Sequence, residues 1–462
     1  MKIIILGAGQ VGRTAAYSLA REEDNQVTVV DINDELLRDL QDRIDIRTLV
    51  GNGAYPSTLE AAGAKDADVF IALTNSDEVN MVACQIVRSM FNKDATRIAR
   101  IRAAEYTRHS KLFRDEDRAF AVDVTISPEQ LVTDHVVRLI EYPGALQVLD
   151  FADGRVRLVG VKALQGGALV GQQLKQLPTH IAGRDARVAA IYRDGRSVKP
   201  HGETVIEHGD EIFFIAARED IRVVMNEMQR LEDPVRRIVI AGGGNIGFSL
   251  AQQLEVKHQV KLIERDPRRA RRISEQLSNT IVLNGDAADE ELLLEENIDS
   301  ADVFAAVTNA EEANILSAML AKRLGCHKVM ALINRPAYAE LMESGTIDVA
   351  LSPQQVTIGS LLAHVRRGDV VRVHSLRRGA AEAIEAIAHG VQGEGRVIGR
   401  RVEDIPLPEG TTIGAVVRGD EVHIAHHDTV IQRDDHVILF LTDRRHVEIV
   451  ERLFDVPRRK GR

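Results

Sequence analysis

The chain has 462 residues, 44% of them apolar and 28% charged, with a net charge of −10. That length exceeds what one hydrophobic core supports and calls for several domains, and the acidic balance disfavours nucleic acid as a partner, since that usually needs a basic surface. Two cysteines, Cys84 and Cys326, exclude a disulfide framework, fit a reducing compartment and read as core-side thiols. Met1 and Lys2 lead straight into an apolar strand, which leaves no room for a signal peptide. No apolar run approaches the ~20 residues that span a bilayer, so a soluble, cytosolic chain is expected.

The strand at 3–6 runs into Gly7-Ala8-Gly9-Gln10-Val11-Gly12. Glycine at 7 permits a tight strand-to-helix turn. At 9 it lets backbone N–H groups approach a phosphate with no Cβ in the way, and at 12 it lets the helix pack on the sheet. The helix N-terminus then presents its partial positive charge. Asp31 follows Gly12 by 19 positions, at the end of the strand 27–30, where a carboxylate can take both ribose hydroxyls. A lone G-x-G-x-x-G is weak; with the strand, the helix pattern and the spaced acid it points to a nucleotide. Asn52-Gly53 after the third strand either meets the adenine side or turns the chain. Thr74-Asn75 ends the fourth strand, at the carboxyl edge that a ligand crossing the switch point passes; ligand contact is expected there ahead of helix capping. Arg100, in the strand 97–101, brings a phosphate-neutralising charge to the same edge.

Ser127-Pro128-Glu129-Gln130 then opens an amphipathic helix with Val132, Val136, Leu139 and Ile140 on one face, broken at Pro143-Gly144. A small β-rich segment follows, in which residues 187–216 show a hairpin turn at R-D-G and a strongly apolar last strand. After Glu232-Asp233-Pro234 everything recurs. A strand opening at 238 meets Gly242-Gly243-Gly244-Asn245-Ile246-Gly247, with Glu264 17 positions after Gly247. Arg265, Arg268, Arg269, Arg271 and Arg272 follow that acid. They could clamp the 2′-phosphate of NADP, but the retained Glu264 would repel that phosphate, so a solvated helix face is preferred. Gly285-Asp286 follows the third strand of this copy as Asn52-Gly53 does in the first, and Thr308-Asn309 matches Thr74-Asn75. Leu332 stands opposite Arg100, so the two sites need not behave alike. Ser352-Pro353-Gln354-Gln355 opens a second connector with Ile358, Leu361, Leu362 and Val365, and residues 412–441 repeat the β-rich pattern around R-G-D.

The expected fold is α/β: two Rossmann-like parallel-sheet lobes, each followed by a small mostly-β (α+β) cap. The expected domains are lobe 1 at 1–126, connector and cap 1 at 127–232, lobe 2 at 233–351, and connector and cap 2 at 352–462. The apolar connector stripes are expected to pack across lobe pairs and drive homo-oligomerisation. The basic tail at 458–462 reads as a frayed, solvated end. His423, His426 and His427 fit no standard zinc spacing, and no nucleophile elbow, H-E-x-x-H or Walker lysine motif occurs.

Several stretches carry a family likeness. They include IILGAGQVG at 4–12, TNSDE–NM at 74–81, RIARIR at 97–102, SPEQLV at 127–132, LIEYPGALQV at 139–148, GGGNIG at 242–247, VKLIE at 260–264, EEANIL at 311–316 and SLRRGAAEAIEA at 375–386. On these the chain resembles the TrkA-type potassium-uptake regulatory proteins, built from duplicated RCK (KTN) domains. The resemblance implies lobes that bind NAD(H) and/or ATP/ADP. It also implies a homo-oligomeric ring, read as a tetramer, docked on the inner face of the plasma membrane beneath a separate potassium-translocating subunit. The implied ligand contacts are Gly7, Ala8, Gly9, Gln10, Val11, Asp31, Thr74, Asn75 and Arg100 in copy one. In copy two they are Gly242, Gly243, Gly244, Asn245, Ile246, Glu264 and Thr308.

Two function classes compete. A non-catalytic regulator needs differential nucleotide affinity for two arrangements of the assembly. An NAD-dependent oxidoreductase needs a substrate domain with a proton-transferring residue facing the nicotinamide. Short β caps follow each lobe and no such residue stands out, so the regulator is preferred.

Overall fold

The computed structural model describes residues 1–22, 25–109, 111–114, 120–181, 183–230, 233–335, 338, 346–365, 369–376, 381–390 and 396–454. The basic tail at 458–462 lies outside them, as does Glu232 of the break between the copies. In lobe 1 the strands are β1 (Lys2–Leu6), β2 (Gln26–Asp31), β3 (Arg47–Val50), β4 (Val69–Ala72), β5 (Thr96–Arg100) and β6 (Val124–Ile126). They form one parallel sheet in the order β3-β2-β1-β4-β5-β6. Ile3, Ile4, Ile5 and Leu6 are all buried, because helices cover both faces of a parallel sheet and leave its central strand no polar side. The order reverses between β1 and β4, which opens a crevice at the carboxyl edge.

Cap 1 is an antiparallel sheet, β10-β9-β11-β8-β7, made from β7 (Ala145–Phe151), β8 (Val156–Lys162), β9 (Ala186–Arg193), β10 (Arg196–Val198) and β11 (Glu211–Ala217). The R-D-G turn joins β9 to β10, with Asp194 at φ 48° and Gly195 at φ 78°, the two left-handed positions that a tight hairpin needs. Lobe 2 repeats lobe 1 with β12 (Arg237–Ala241), β13 (Gln259–Glu264), β14 (Ile281–Asn284), β15 (Val303–Ala306), β16 (Lys328–Leu332) and β17 (Val349–Leu351), in the order β14-β13-β12-β15-β16-β17. Cap 2 has β18 (Val370–Leu376), β19 (Ala381–Ile387), β20 (Thr411–Arg418), β21 (Glu421–Ile424) and β22 (His436–Leu441), in the order β18-β19-β22-β20-β21.

The compact units do not follow the repeat. One contains 1–131 and 353–365; the other contains 132–352 and 366–462. The second connector helix (Pro353–Val365) therefore belongs with lobe 1, where Gln354 Oε1 accepts a bond from Thr14 Oγ1 at 3.1 Å. Its Ile358, Leu361, Leu362 and Val365 are buried. The first connector helix (Pro128–Glu141) belongs from Val132 onward with lobe 2, and Val132, Val136, Leu139 and Ile140 share a core with Ile238, Leu250 and Leu254. The stripes thus do cross between the copies, but inside one chain. That corrects the expectation that they drive association, because these connector residues are already buried within their own chain. Within the second unit the two caps share a core, in which Leu149, Phe151 and Phe213 meet Leu376, Ala383 and Phe440.

Candidate functional site

The two glycine loops take the same path. Gly7 has φ +104° and Gly242 φ +107°, the left-handed region that a Cβ disfavours. A Cβ on Gly12 would stand 1.8 Å from the Gly7 carbonyl oxygen, and one on Gly247 1.8 Å from that of Gly242. The third glycine is therefore demanded by the loop's own first carbonyl, closer than the sheet beneath. Gly9 and Gly244 are different: nothing lies within 4 Å of where their Cβ would be. They head the helices Gln10–Ala20 and Asn245–Leu254, and neither N-terminus has a side-chain cap. Gln10 and Asn245 are exposed, Val11 is buried and Ile246 half-buried. An uncapped helix start beside open space is an arrangement that takes an anion.

The two acids close on the loops. Asp31 Oδ2 accepts the Ala8 N–H at 2.6 Å and its Oδ1 accepts the Asn33 N–H at 2.8 Å. Glu264 does the same with Gly243 N–H at 2.9 Å and Asp266 N–H at 2.8 Å. The longer acid explains the extra glycine of copy two, since a Cβ on Gly243 would come within 2.9 Å of Glu264 Oε2 and 2.5 Å of Ile273 Cδ1. Beyond Asp31 the next helix opens with Asp34 and Glu35. Beyond Glu264 the chain carries five exposed arginines, with Arg269 3.6 Å from the acid, Arg271 on Glu275, and Ala270 and Ile273 facing the core. That is an amphipathic, solvated helix.

Across the crevice, a Cβ on Gly7 would be 3.0 Å from the Leu73 carbonyl and Thr74 N, so the loop rests on the end of β4. Thr74 turns its hydroxyl to Asn80 Oδ1 at 2.7 Å, and Thr308 turns its own to Asn314 Oδ1 at 2.6 Å. The same asparagines donate to the Arg100 carbonyl at 2.9 Å and the Leu332 carbonyl at 3.0 Å. Asn80 and Asn314 are both fully buried; each knits two strand ends into one rim. Asp77 supports the rim by accepting the Arg102 and Ala103 N–H groups at 2.9 and 2.8 Å, and Glu311 by accepting those of Asn334 and Arg335, both at 2.8 Å. The asparagines and acids recur at the same offsets after Thr74 and Thr308, a signal available in the sequence but not read there as positioning. Asn75 is exposed, and its carbonyl accepts from the Arg102 guanidinium. Arg100 ends β5, and its Nη2 lies 2.9 Å from Glu129 Oε1. In copy two Leu332 occupies that place.

Of the two readings of Asn52-Gly53, the geometry favours the turn. Asn52 Oδ1 accepts the Ala54 N–H at 2.9 Å, and a Cβ on Gly53 would strike Leu6 Cδ1 at 2.1 Å. Asp286 likewise accepts the Ala288 N–H at 2.9 Å. Cys84 and Cys326 are buried; burial pushes the Cys326 thiol up to about 12 and the Cys84 thiol further. His426 pairs with Asp185 at 2.8 Å, and among the described residues no cluster of three or more His, Cys, Asp or Glu side chains could hold a metal. No described helix is long and apolar enough to cross a membrane.

Comparison with known proteins returns the same duplication. The TrkA-N domain model matches residues 3–128 and 238–353, and the TrkA-C domain model matches 158–229 and 391–454. The chain is 59% identical over 456 residues to a Trk system potassium uptake protein TrkA of Halomonas elongata, covering 99% of both chains. It is 58% identical over 455 residues to the protein of that description from Vibrio alginolyticus, covering 98% of both. Among solved structures it is similar in fold to the GsuK RCK domain, with a TM-score of 0.62 at 17% identity over 98% of this chain and 94% of that one. The GsuK channel bound to NAD gives a TM-score of 0.61, also at 17% identity, over 98% and 78%.

Proposed function

Because the chain belongs to the TrkA family of Trk system potassium uptake proteins, we propose that it is the non-catalytic, nucleotide-sensing subunit of such a system. Its lobes bind NAD(H) and/or ATP/ADP. The phosphates lie on Gly7 to Val11 and on Gly242 to Ile246, the riboses on Asp31 and Glu264, and the rest of the ligand passes Thr74, Asn75 and Arg100 in lobe 1 and Thr308 in lobe 2. Ligand binding biases a homo-oligomeric ring, a tetramer, between two arrangements. A separate membrane potassium-translocating subunit, docked from the cytoplasmic side, opens or closes with it. The functional boundaries are those of the repeat: 1–126, 127–232, 233–351 and 352–462.

The observation that carries this reading is the pair of uncapped helix starts at Gly9 and Gly244, each with open space where a Cβ would be and an acid held to the loop beside it. A phosphate entering there meets free N–H donors, while the ribose acid stands one strand away. That a structure of the same fold holds NAD adds support for the ligand class. The test is a calorimetric titration of NAD, NADH, ATP and ADP on the purified protein. With lobe 2 disabled by Gly244→Val, Asp31→Ala is expected to cost about 1.5–3 kcal/mol of affinity, the worth of a hydrogen bond to a charged acceptor. Unchanged affinity, or steady hydride transfer from NADH to small carbonyl compounds, would overturn the reading.

A further inference from the structure

One charged pair distinguishes the lobes, and it stands where ligand and connector meet. Arg100 ends β5 and Glu129 sits in the first turn of the first connector helix. Their side chains are 18% and 21% exposed, with Nη2 to Oε1 at 2.9 Å. Arg100 Nε is buried and has no hydrogen-bond partner among the described residues, so the guanidinium has donating capacity that Glu129 does not use. β5 is two strands from β1, or about 10 Å at sheet spacing. The anionic end of a nucleotide seated on the Gly7 loop and crossing β4 approaches that guanidinium.

Copy two carries neither member of the pair. Leu332 takes the place of Arg100, and its carbonyl is held by Asn314 as that of Arg100 is by Asn80. Gln354 takes the place of Glu129 in the repeated Ser-Pro-x-Gln and bonds to Thr14. An arginine kept only to neutralise phosphate would not require the acid to change with it. A pair whose members act on each other would.

We propose that Arg100 and Glu129 form an exchange contact through which lobe 1, and not lobe 2, reports the charge of its ligand to the first connector helix. The inference rests on nucleotide binding at the Gly7 loop. In the empty lobe the guanidinium holds Glu129 and with it the start of the helix. A nucleoside diphosphate or triphosphate brings a second anion to the same guanidinium, in a largely buried place where like charges repel with little screening. Glu129 then loses part of its hold, and the helix start is freed. By linkage, whatever the ligand does to the pair the pair does to the ligand. Lobe 2 binds without sending this signal.

The test uses the full chain carrying Gly244→Val, so that only lobe 1 binds, with ADP and ATP as probes and adenosine as the uncharged control. Calorimetry gives affinity, and hydrogen exchange of the amides at 131–141 reports the helix start. ADP and ATP are expected to raise that exchange, and adenosine to leave it unchanged. Glu129→Gln is expected to tighten ADP by about fivefold or more and to show high exchange before any ligand is added. Arg100→Leu, which copies lobe 2, is expected to weaken ADP and to abolish the ligand-dependent change; it also serves if Glu129→Gln folds poorly. Wild-type ADP affinity in Glu129→Gln, or exchange at 131–141 that ignores ADP in the parent chain, would overturn the proposal. No ADP binding to the parent chain at all would overturn the nucleotide reading beneath it.

Discussion

At the residue scale the three glycines of each loop carry different constraints, and a substitution series can separate them. Gly12→Ala forces a Cβ to 1.8 Å from a backbone oxygen, which no rotamer can relieve. It is expected to cost more than about 3 kcal/mol, the upper range of overpacking. Gly9→Ala meets nothing, and its φ of −66° suits any residue; it should stay within about 1 kcal/mol of the parent. Urea denaturation read by circular dichroism checks both. The result that would count against the account is equal destabilisation by the two. A motif match alone treats these glycines as one pattern, and only the backbone path assigns each its reason.

At the element scale the caps show what the sequence hid. Their hairpin turns and apolar last strands were legible from R-D-G, R-G-D and the runs that follow. Not legible was the fully buried carboxylate in each. Asp210 accepts both Nε and Nη2 of Arg193, at 2.8 and 2.9 Å, and Asp435 accepts the same pair from Arg418, both at 2.9 Å. Each aspartate lies 17 positions from its arginine, a spacing with no helix or strand period to betray it. Asp210 also accepts the Glu207 N–H at 2.9 Å and Asp435 the Gln432 N–H at 2.7 Å, so each pins a turn as well as a strand. Asp210→Ala and Asp435→Ala are each expected to destabilise by about 3 kcal/mol, because the arginine and the turn N–H both lose their partner; a denaturation midpoint unmoved in both would refute this. The rim asparagines escaped for a related reason. Asn80 and Asn314 occupy helix positions that read as polar, although both are buried against strand ends.

The junction of the caps adds a dependence on pH. The ring of His374 on β18 packs edge-on against Phe151, with centroids 5.0 Å apart, and its Nε2 lies 3.2 Å from the Asp150 carbonyl. Burial, helped by Arg138 and Arg372, outweighs that carbonyl and holds the ring's pKa down at about 4. Nearby His135 is held down at about 3 by burial, Arg138 and His374. Unfolded histidine takes up its proton near pH 6.5. Above that pH both states are neutral and the stability contributed by the neutral rings is fully present. Between about 6.5 and 4 the unfolded chain binds protons that the folded chain refuses, so stability falls as pH falls, by up to about 1.4 kcal/mol per pH unit for each ring. Denaturation midpoints at pH 7.5 and 5.0 measure it, and His374→Phe should flatten the slope.

At the scale of the whole molecule the duplication gives two lobes with the same loop path and rim, of which lobe 1 alone carries the Arg100–Glu129 pair. The connector stripes are satisfied within the chain, so the surfaces proposed to build the ring must be other ones, and the connectors are left as links between parts. The proposed function routes any effect on potassium flux through another protein, in keeping with a family named for potassium uptake and with described helices none of which is long and apolar enough to cross a membrane. Under that proposal, nucleotide at the loops biases the partner's open population by no more than the difference in nucleotide affinity between the two arrangements. Gly9→Val with Gly244→Val fills both phosphate cradles. Each substitution points a side chain into open space and not into the core, so the fold and the association with the membrane subunit should persist. The nucleotide response of potassium flux, measured in vesicles holding both proteins, should vanish while basal flux remains. Flux that keeps its full nucleotide sensitivity with both cradles blocked would place the sensor elsewhere and refute this mechanism.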